Sequence, residues 1–158
     1  MKGLNEYPIP YTISQVASLI ILIAAWKKTR LARVLFALLF FWAAATNMYI
    51  GIARPDTYLL YADMAISPYR DFIKGWFSQN KHILIPLIAI GQFFIAIGML
   101  LKGLWVKLAC IGSIIFLLSI APLMVGAAFP FSITVSAAAL FIYRNDGKNY
   151  IWKKYLRV

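Results

Sequence analysis

Apolar residues fill five stretches of the chain, about 9–26, 31–53, 83–101, 104–125 and 127–143, and nearly all charged residues lie outside them. A helix needs about 20 such residues to cross the hydrocarbon layer, and a charge at its centre costs about 2.5 to 3.5 kcal/mol even on lenient insertion scales. The pattern therefore predicts an all-α integral membrane protein with five transmembrane helices in one domain, residues 1–158. The first run has Pro8 and Pro10 where a helix start tolerates proline, and Trp26 at its interfacial end. Arg33, in the first turn of the second run, is expected to snorkel to the interface. Pro86 is placed near the first turn of the third run, where a missing N–H costs least. Lys102 and Gly103 make a minimal hairpin into the fourth run. The fifth run is short and contains Pro130, which suggests little tilt or a partly re-entrant segment.

One gap is unlike the short turns elsewhere. The insert 54–82 is long and aromatic, with helix starts at Pro55, where Asp56 or Thr57 is the expected cap, and at Ser67 and Pro68. After the second start, Tyr69, Phe72, Ile73, Trp76 and Phe77 fall at i, i+3, i+4, i+7 and i+8, while Arg70, Asp71, Lys74 and Ser78 face away. Residues 58–66 are apolar nearly all round except for Asp63, so this first segment is expected to be covered by the second or sunk into the bundle mouth. Together they predict an amphipathic helical lid.

Composition sharpens the class. The chain is 63% hydrophobic and 13% charged, against about 45 to 50% and about 25% in soluble domains. A net charge of +11 would suggest nucleic acid in a soluble protein, but here the basic residues sit at the ends of apolar runs, which argues against such a partner. Counted on alternate sides, Lys27, Lys28, Arg30, Arg33, Lys102, Lys107, Arg144, Lys148, Lys153, Lys154 and Arg157 stand against Lys2, Arg54, Arg70, Lys74 and Lys81, or 11 against 5. The positive-inside rule then puts the N-terminus outside, the C-terminus in the cytoplasm and the insert on the outer face. The basic tail 144–158, following a turn at Asn145, Asp146 and Gly147, is expected to set Ile151, Trp152, Tyr155 and Val158 toward lipid as a leaflet anchor. The N-terminus lacks a basic n-region and a cleavage site, so the first run is expected to be retained as a helix.

The candidate ligand residues are Arg54, Tyr58, Tyr61, Asp63, Tyr69, Arg70 and Trp76 in the insert, with Asn47 and Gln92 at membrane depth. Asp63 and Arg70 meet if the two insert helices fold back on each other, and such a pair amid Tyr58, Tyr61 and Tyr69 either clamps the lid or binds a polar headgroup. Arg54 ends a stripe of Ala43, Asn47 and Gly51 along one face of the second run, a pattern commoner in close helix packing than in ligand channels. The polar groups within the runs, Gln15, Asn47, Gln92, Ser113, Ser119, Ser132 and Ser136, do not ionise, which argues against a proton pump or ion-coupled carrier. Cys110 is the only cysteine, which excludes an intrachain disulfide or a cysteine metal cluster, and His82 is a lone interfacial histidine. Ser67 or Ser78 with His82 and Asp71 supplies the residue types of a triad without a nucleophile-elbow motif. No catalytic residue, metal or cofactor is assigned.

The segments RVLFALLFFWAAATNMY, IGQFFIAIGMLLKGLWVKLA and IAPLMVGAAFPF, with the insert sequence YLLYADMAISPYRDF, resemble the DoxX-like family of small bacterial membrane proteins over residues 31–143. The resemblance implies a four-helix core with the first run as an additional helix. It also implies, by analogy, a link to quinone-related or redox-related membrane complexes. Family members often carry an acid where Gln92 stands, and glycines of the first core helix are alanines here.

The leading expectation is a non-enzymatic module that holds a lipid or quinone under the lid, or that serves as an accessory subunit beside a membrane redox partner. One alternative is an enzyme on an amphiphilic substrate at the outer interface, with Asp63 or Asp71 as acid or base and Arg54 or Arg70 on an anionic headgroup. Another is a transporter subunit that needs a second polypeptide.

Overall fold

The computed structural model describes residues 8–124, 128–145 and 149–154, residues 153 and 154 by their backbone alone. All regular elements among them are helical. They are α1 (Pro8–Lys27), α2 (Thr29–Ala53), a 3₁₀ helix (Pro55–Asp63), α3 (Ser67–Phe72), a π turn (Ile73–Phe77), α4 (Ser78–Leu100), α5 (Leu104–Ile120) with a 3₁₀ turn (Ala121–Leu123), α6 (Phe131–Asn145) and a final 3₁₀ turn (Ile151–Lys154). Four helical stretches, Pro8–Lys27, Thr29–Ala53, Ser67–Leu100 and Leu104–Leu123, are long and apolar enough to cross a membrane. Several apolar helices in one short chain make this a multi-pass membrane protein.

The fifth apolar run is the exception in length. Pro130 stands outside the helix, where its carbonyl accepts from the N–H groups of Ile133 and Thr134, and α6 begins only at Phe131. Its 15 residues make about 22 Å at 1.5 Å per residue, short of the roughly 30 Å hydrocarbon layer. The ends expected for runs four and five, at 125 and 127, lie outside the described residues.

The helices close a ring: α1 packs on α2 and α6, α2 on α4, α4 on α5, and α5 on α6. Small residues make this possible. Ala25, Ala32, Ala37, Ala96, Ala109, Ala138 and Ala139 fill the interior with Phe36, Phe40 and Met99, while Leu38, Trp42, Phe94 and Ile115 are more than half exposed at mid-helix. Large apolar side chains outside and small ones inside are what a bundle solvated by lipid requires, since backbones must approach without a hydrophobic drive between helices. At one such approach, a Cβ on Gly51 would lie 2.6 Å from Ile85 Cγ2, so the small and polar stripe of α2 is a packing seam against α4. Gly103 turns the α4–α5 hairpin at φ +58, a left-handed conformation that favours glycine.

The insert differs from the expected pair of separate helices. The second insert helix leads directly into α4, the two meeting at a kink in the π turn where Gly75 is non-helical (φ −93, ψ −106). Pro86 therefore lies well inside a helix rather than near its start. Of the aromatic stripe, Ile73 is buried and Tyr69 and Phe77 are half-buried, whereas Phe72 and Trp76 are 45% and 57% exposed and pack on each other at 5.8 Å. The first segment is a 3₁₀ helix that buries Ala62 but leaves Leu60 exposed. Neither expected cap forms: Arg54 and Ile66 hold the N-cap positions without side-chain bonds.

At the opposite end, Arg33 does not snorkel. It is 1% exposed, and its guanidinium donates from Nε to the Met99 carbonyl at 2.9 Å, from Nη1 to the Asn149 carbonyl at 3.0 Å and from Nη2 to the Leu101 carbonyl. The last turn of α4 contains no basic residue of its own, so a cation from α2 caps its carbonyls and meets the negative end of its dipole. The tail packs beside this cap, with Lys102 Nζ 4.8 Å from the centre of the Tyr150 ring and Tyr150 stacked on Trp152 at 4.8 Å. Trp152 is partly exposed and Ile151 is half-buried. Tyr155, Val158 and the turn residues Asp146 and Gly147 lie outside the described residues.

Candidate functional site

The insert end of the bundle holds most of the polar side chains singled out from the sequence. Pro55 disfavours helical geometry at the residue before it, and Arg54 leaves the helix at φ −147, ψ 57. The 3₁₀ helix thus departs from α2 at an angle and carries Tyr58 back over the packing seam. The Tyr58 hydroxyl donates to Asn47 Oδ1, and Asn47 Nδ2 donates to Gln92 Oε1 at 2.7 Å. A polar chain from the insert through α2 to α4 results, ending on a Gln92 side chain that is 2% exposed. Burying amides is tolerable only when they are paired, and each amide here engages the next.

Tyr58 also reports its surroundings. Burial, and then the neighbouring Tyr61 hydroxyl, push its pKa up from 10.0 to about 12, and the two rings meet edge to face at 5.8 Å. A raised folded-state value favours the neutral phenol, so its contribution to stability is complete below pH 10 and lost as pH rises toward 12. Tyr58→Phe is expected to flatten this part of the alkaline limb when thermal unfolding in detergent is followed against pH. An unchanged profile would contradict the assignment.

The remaining insert residues act as latches. Asp63 and Arg70 do not pair: Asp63 accepts from Lys74 Nζ at 3.2 Å, and Arg70 Nε donates to the Ala62 carbonyl at 3.3 Å. Lys74, one turn beyond Arg70 on the same helix, takes the carboxylate, leaving the guanidinium a backbone acceptor. Both members of the Asp63–Lys74 pair are largely exposed, where an ion pair contributes about 0 to 1 kcal/mol. Asp56 pairs with Lys81 at 3.2 Å, the Tyr69 hydroxyl donates to the Ser119 carbonyl, and the Ile66 N–H donates to the Pro122 carbonyl at 3.2 Å. Trp76 faces outward with Phe72 and joins none of these polar groups.

Ser78 Oγ turns back onto the carbonyls of Lys74 and Gly75 at 3.1 and 2.9 Å, and His82 and Asp71 are exposed. Among the described residues no group of three or more His, Cys, Asp or Glu could hold a metal ion.

A groove of about 520 Å³ opens in the corner between the end of α2 and the 3₁₀ helix, lined by Ala45, Thr46, Tyr49, Ile50, Arg54 and Thr57. Only Arg54 among these is a ligand candidate of the sequence, Thr57 being expected as a helix cap. The missed signal is the i, i+4, i+8 alignment of Thr46, Ile50 and Arg54, one residue away from the stripe that packs on α4. Ala45 and Tyr49 are exposed and Thr46, Ile50 and Thr57 half-exposed, so the groove faces away from the bundle core. It is apolar along its floor and polar where Arg54 and Thr57 close it. Comparison with known protein families, with curated proteins and with solved structures finds no match to this chain.

Proposed function

We propose that this chain is a non-enzymatic membrane module of the DoxX-like type that holds a lipid-like or quinone-like amphiphile at its outer face. In this reading all five apolar runs cross or enter an inner membrane, the N-terminus is outside, and the insert is a lid latched over the outer end of the bundle. The 11 to 5 distribution of basic residues supports the orientation, and the similarity over 31–143 supports the family. One observation carries the binding role: a groove with an apolar floor and a cationic, hydroxyl-bearing end, set where a span gives way to the insert. Amphiphiles match such a gradient, with the tail along the span and the polar end at the interface.

The enzymatic alternative required Asp63 and Arg70 to converge on an open pocket, and their separate partners give it no such geometry. The amphiphile reading is tested by photo-crosslinking in native membranes with a lipid whose acyl chain carries a photoreactive group, followed by peptide mapping. Adducts are expected to concentrate on residues 45–57.

A further inference from the structure

Resting on that reading, we infer that the amphiphile is anionic, a phospholipid whose phosphate is held by Arg54 with the hydroxyl of Thr57. Most charges of the insert are engaged within it. Of its three acids, Asp56 and Asp63 are each matched by a lysine, Lys81 and Lys74 at 3.2 Å, Asp71 stands exposed on the insert helix, and Arg70 is occupied by a backbone carbonyl. Among the described residues the Arg54 guanidinium has no hydrogen-bond or ion partner, and neither do the Thr46 and Thr57 hydroxyls.

All three line one groove, Arg54 and Thr57 at its insert end and Thr46 about two helical turns back along α2. A guanidinium offers a planar fork that fits two phosphate oxygens, a match that a point charge or neutral donor does not provide. The Thr57 hydroxyl is a further donor, and Tyr49, 66% exposed, offers an amphipathic ring of the kind enriched at membrane interfaces. Ala45 and Ile50 leave an apolar path along α2 for the first part of an acyl chain. A quinone headgroup would accept hydrogen bonds here but would leave the cation without a counter-charge.

The experiment is native mass spectrometry of the full chain in a neutral detergent, offered phosphatidylglycerol, phosphatidylcholine and a short-tailed ubiquinone at equal concentration. The wild type is expected to retain one phosphatidylglycerol about tenfold in preference to the others, and Arg54→Gln to abolish that preference, a change of about 1.4 kcal/mol. Arg54→Lys should fall between them, because charge is kept and the fork is lost. Helical circular dichroism and elution volume establish that each variant is folded; should Arg54→Gln fail this test, Arg54→Lys with Thr57→Val carries the comparison. Retention of phosphatidylcholine or ubiquinone at the same level, unaffected by either Arg54 variant, would overturn the anionic assignment and leave the amphiphile reading standing. Retention of no amphiphile would overturn both.

Discussion

Arg33→Met is expected to be the most damaging single polar substitution in the chain, lowering stability in detergent by about 3 kcal/mol or more, since each buried acceptor left unpaired costs about 1 to 3 kcal/mol. The guanidinium now satisfies carbonyls of Met99, Leu101 and Asn149, from the end of α4 and from the tail. Methionine fills much of the same space without a donor, so packing is largely kept while the helix end loses its cap. Thermal unfolding followed by circular dichroism reads the loss, and limited proteolysis should show faster cleavage beyond residue 145 as the tail is released. Arg33→Lys is expected to recover only part of the stability, because one ammonium cannot reproduce a three-way fork. A melting temperature within one degree or so of the wild type would show that water or another side chain caps these carbonyls equally well.

The second large effect is steric. A Cβ on Gly98 would lie 2.8 Å from Ala109 Cβ and 3.1 Å from the Trp105 carbonyl oxygen. Neither can rotate out of the way, so Gly98→Ala must push α4 and α5 apart just before their hairpin. Overpacking of this kind costs about 1 to 3 kcal/mol, and Gly98→Leu is expected to prevent accumulation of the folded protein. Gly91→Ala is the matched comparison, since a Cβ there meets nothing within 4 Å; it should be neutral or slightly stabilising. Steric-trap or thermal unfolding of the three variants in one detergent ranks them. Equal stability of Gly98→Ala and Gly91→Ala would contradict the close approach.

Much of this architecture was legible because charges mark helix ends in a membrane protein. The basic turn at Lys27, Lys28 and Arg30 and the hairpin at Lys102 and Gly103 appear where the pattern placed them, and α1 and α2 lie within two residues of the expected bounds. Long-range partners were not legible. Arg33 looked like an interfacial residue because it sits in a first turn, and only the uncapped end of a helix 66 residues downstream explains its burial. The stretch from Ser78 to His82 was assigned to the insert, yet it forms the first turn of α4, which meets the insert helix at the kink of Gly75.

The site was legible in part for the same reason. Asn47, Tyr58 and Gln92 were singled out separately, and the fold joins them into one chain. Asp63 and Arg70 were expected to meet, but the turn at 64–66 and one further helical turn past Arg70 bring Lys74 to the carboxylate instead. The groove itself depends on the angle at which the 3₁₀ helix leaves α2, which no periodicity in the sequence encodes.

The central claim is that the insert end serves as a binding surface for an amphiphile, with its charged residues holding the structure. Peptide mapping of photoactivatable-lipid adducts in native membranes tests it most directly. The account predicts adducts concentrated on residues 45–57 and displaced by excess unlabelled anionic lipid. Adducts spread evenly over the lipid-facing surfaces of all helices, with no enrichment at Tyr49 or Thr57 and no competition, would contradict it.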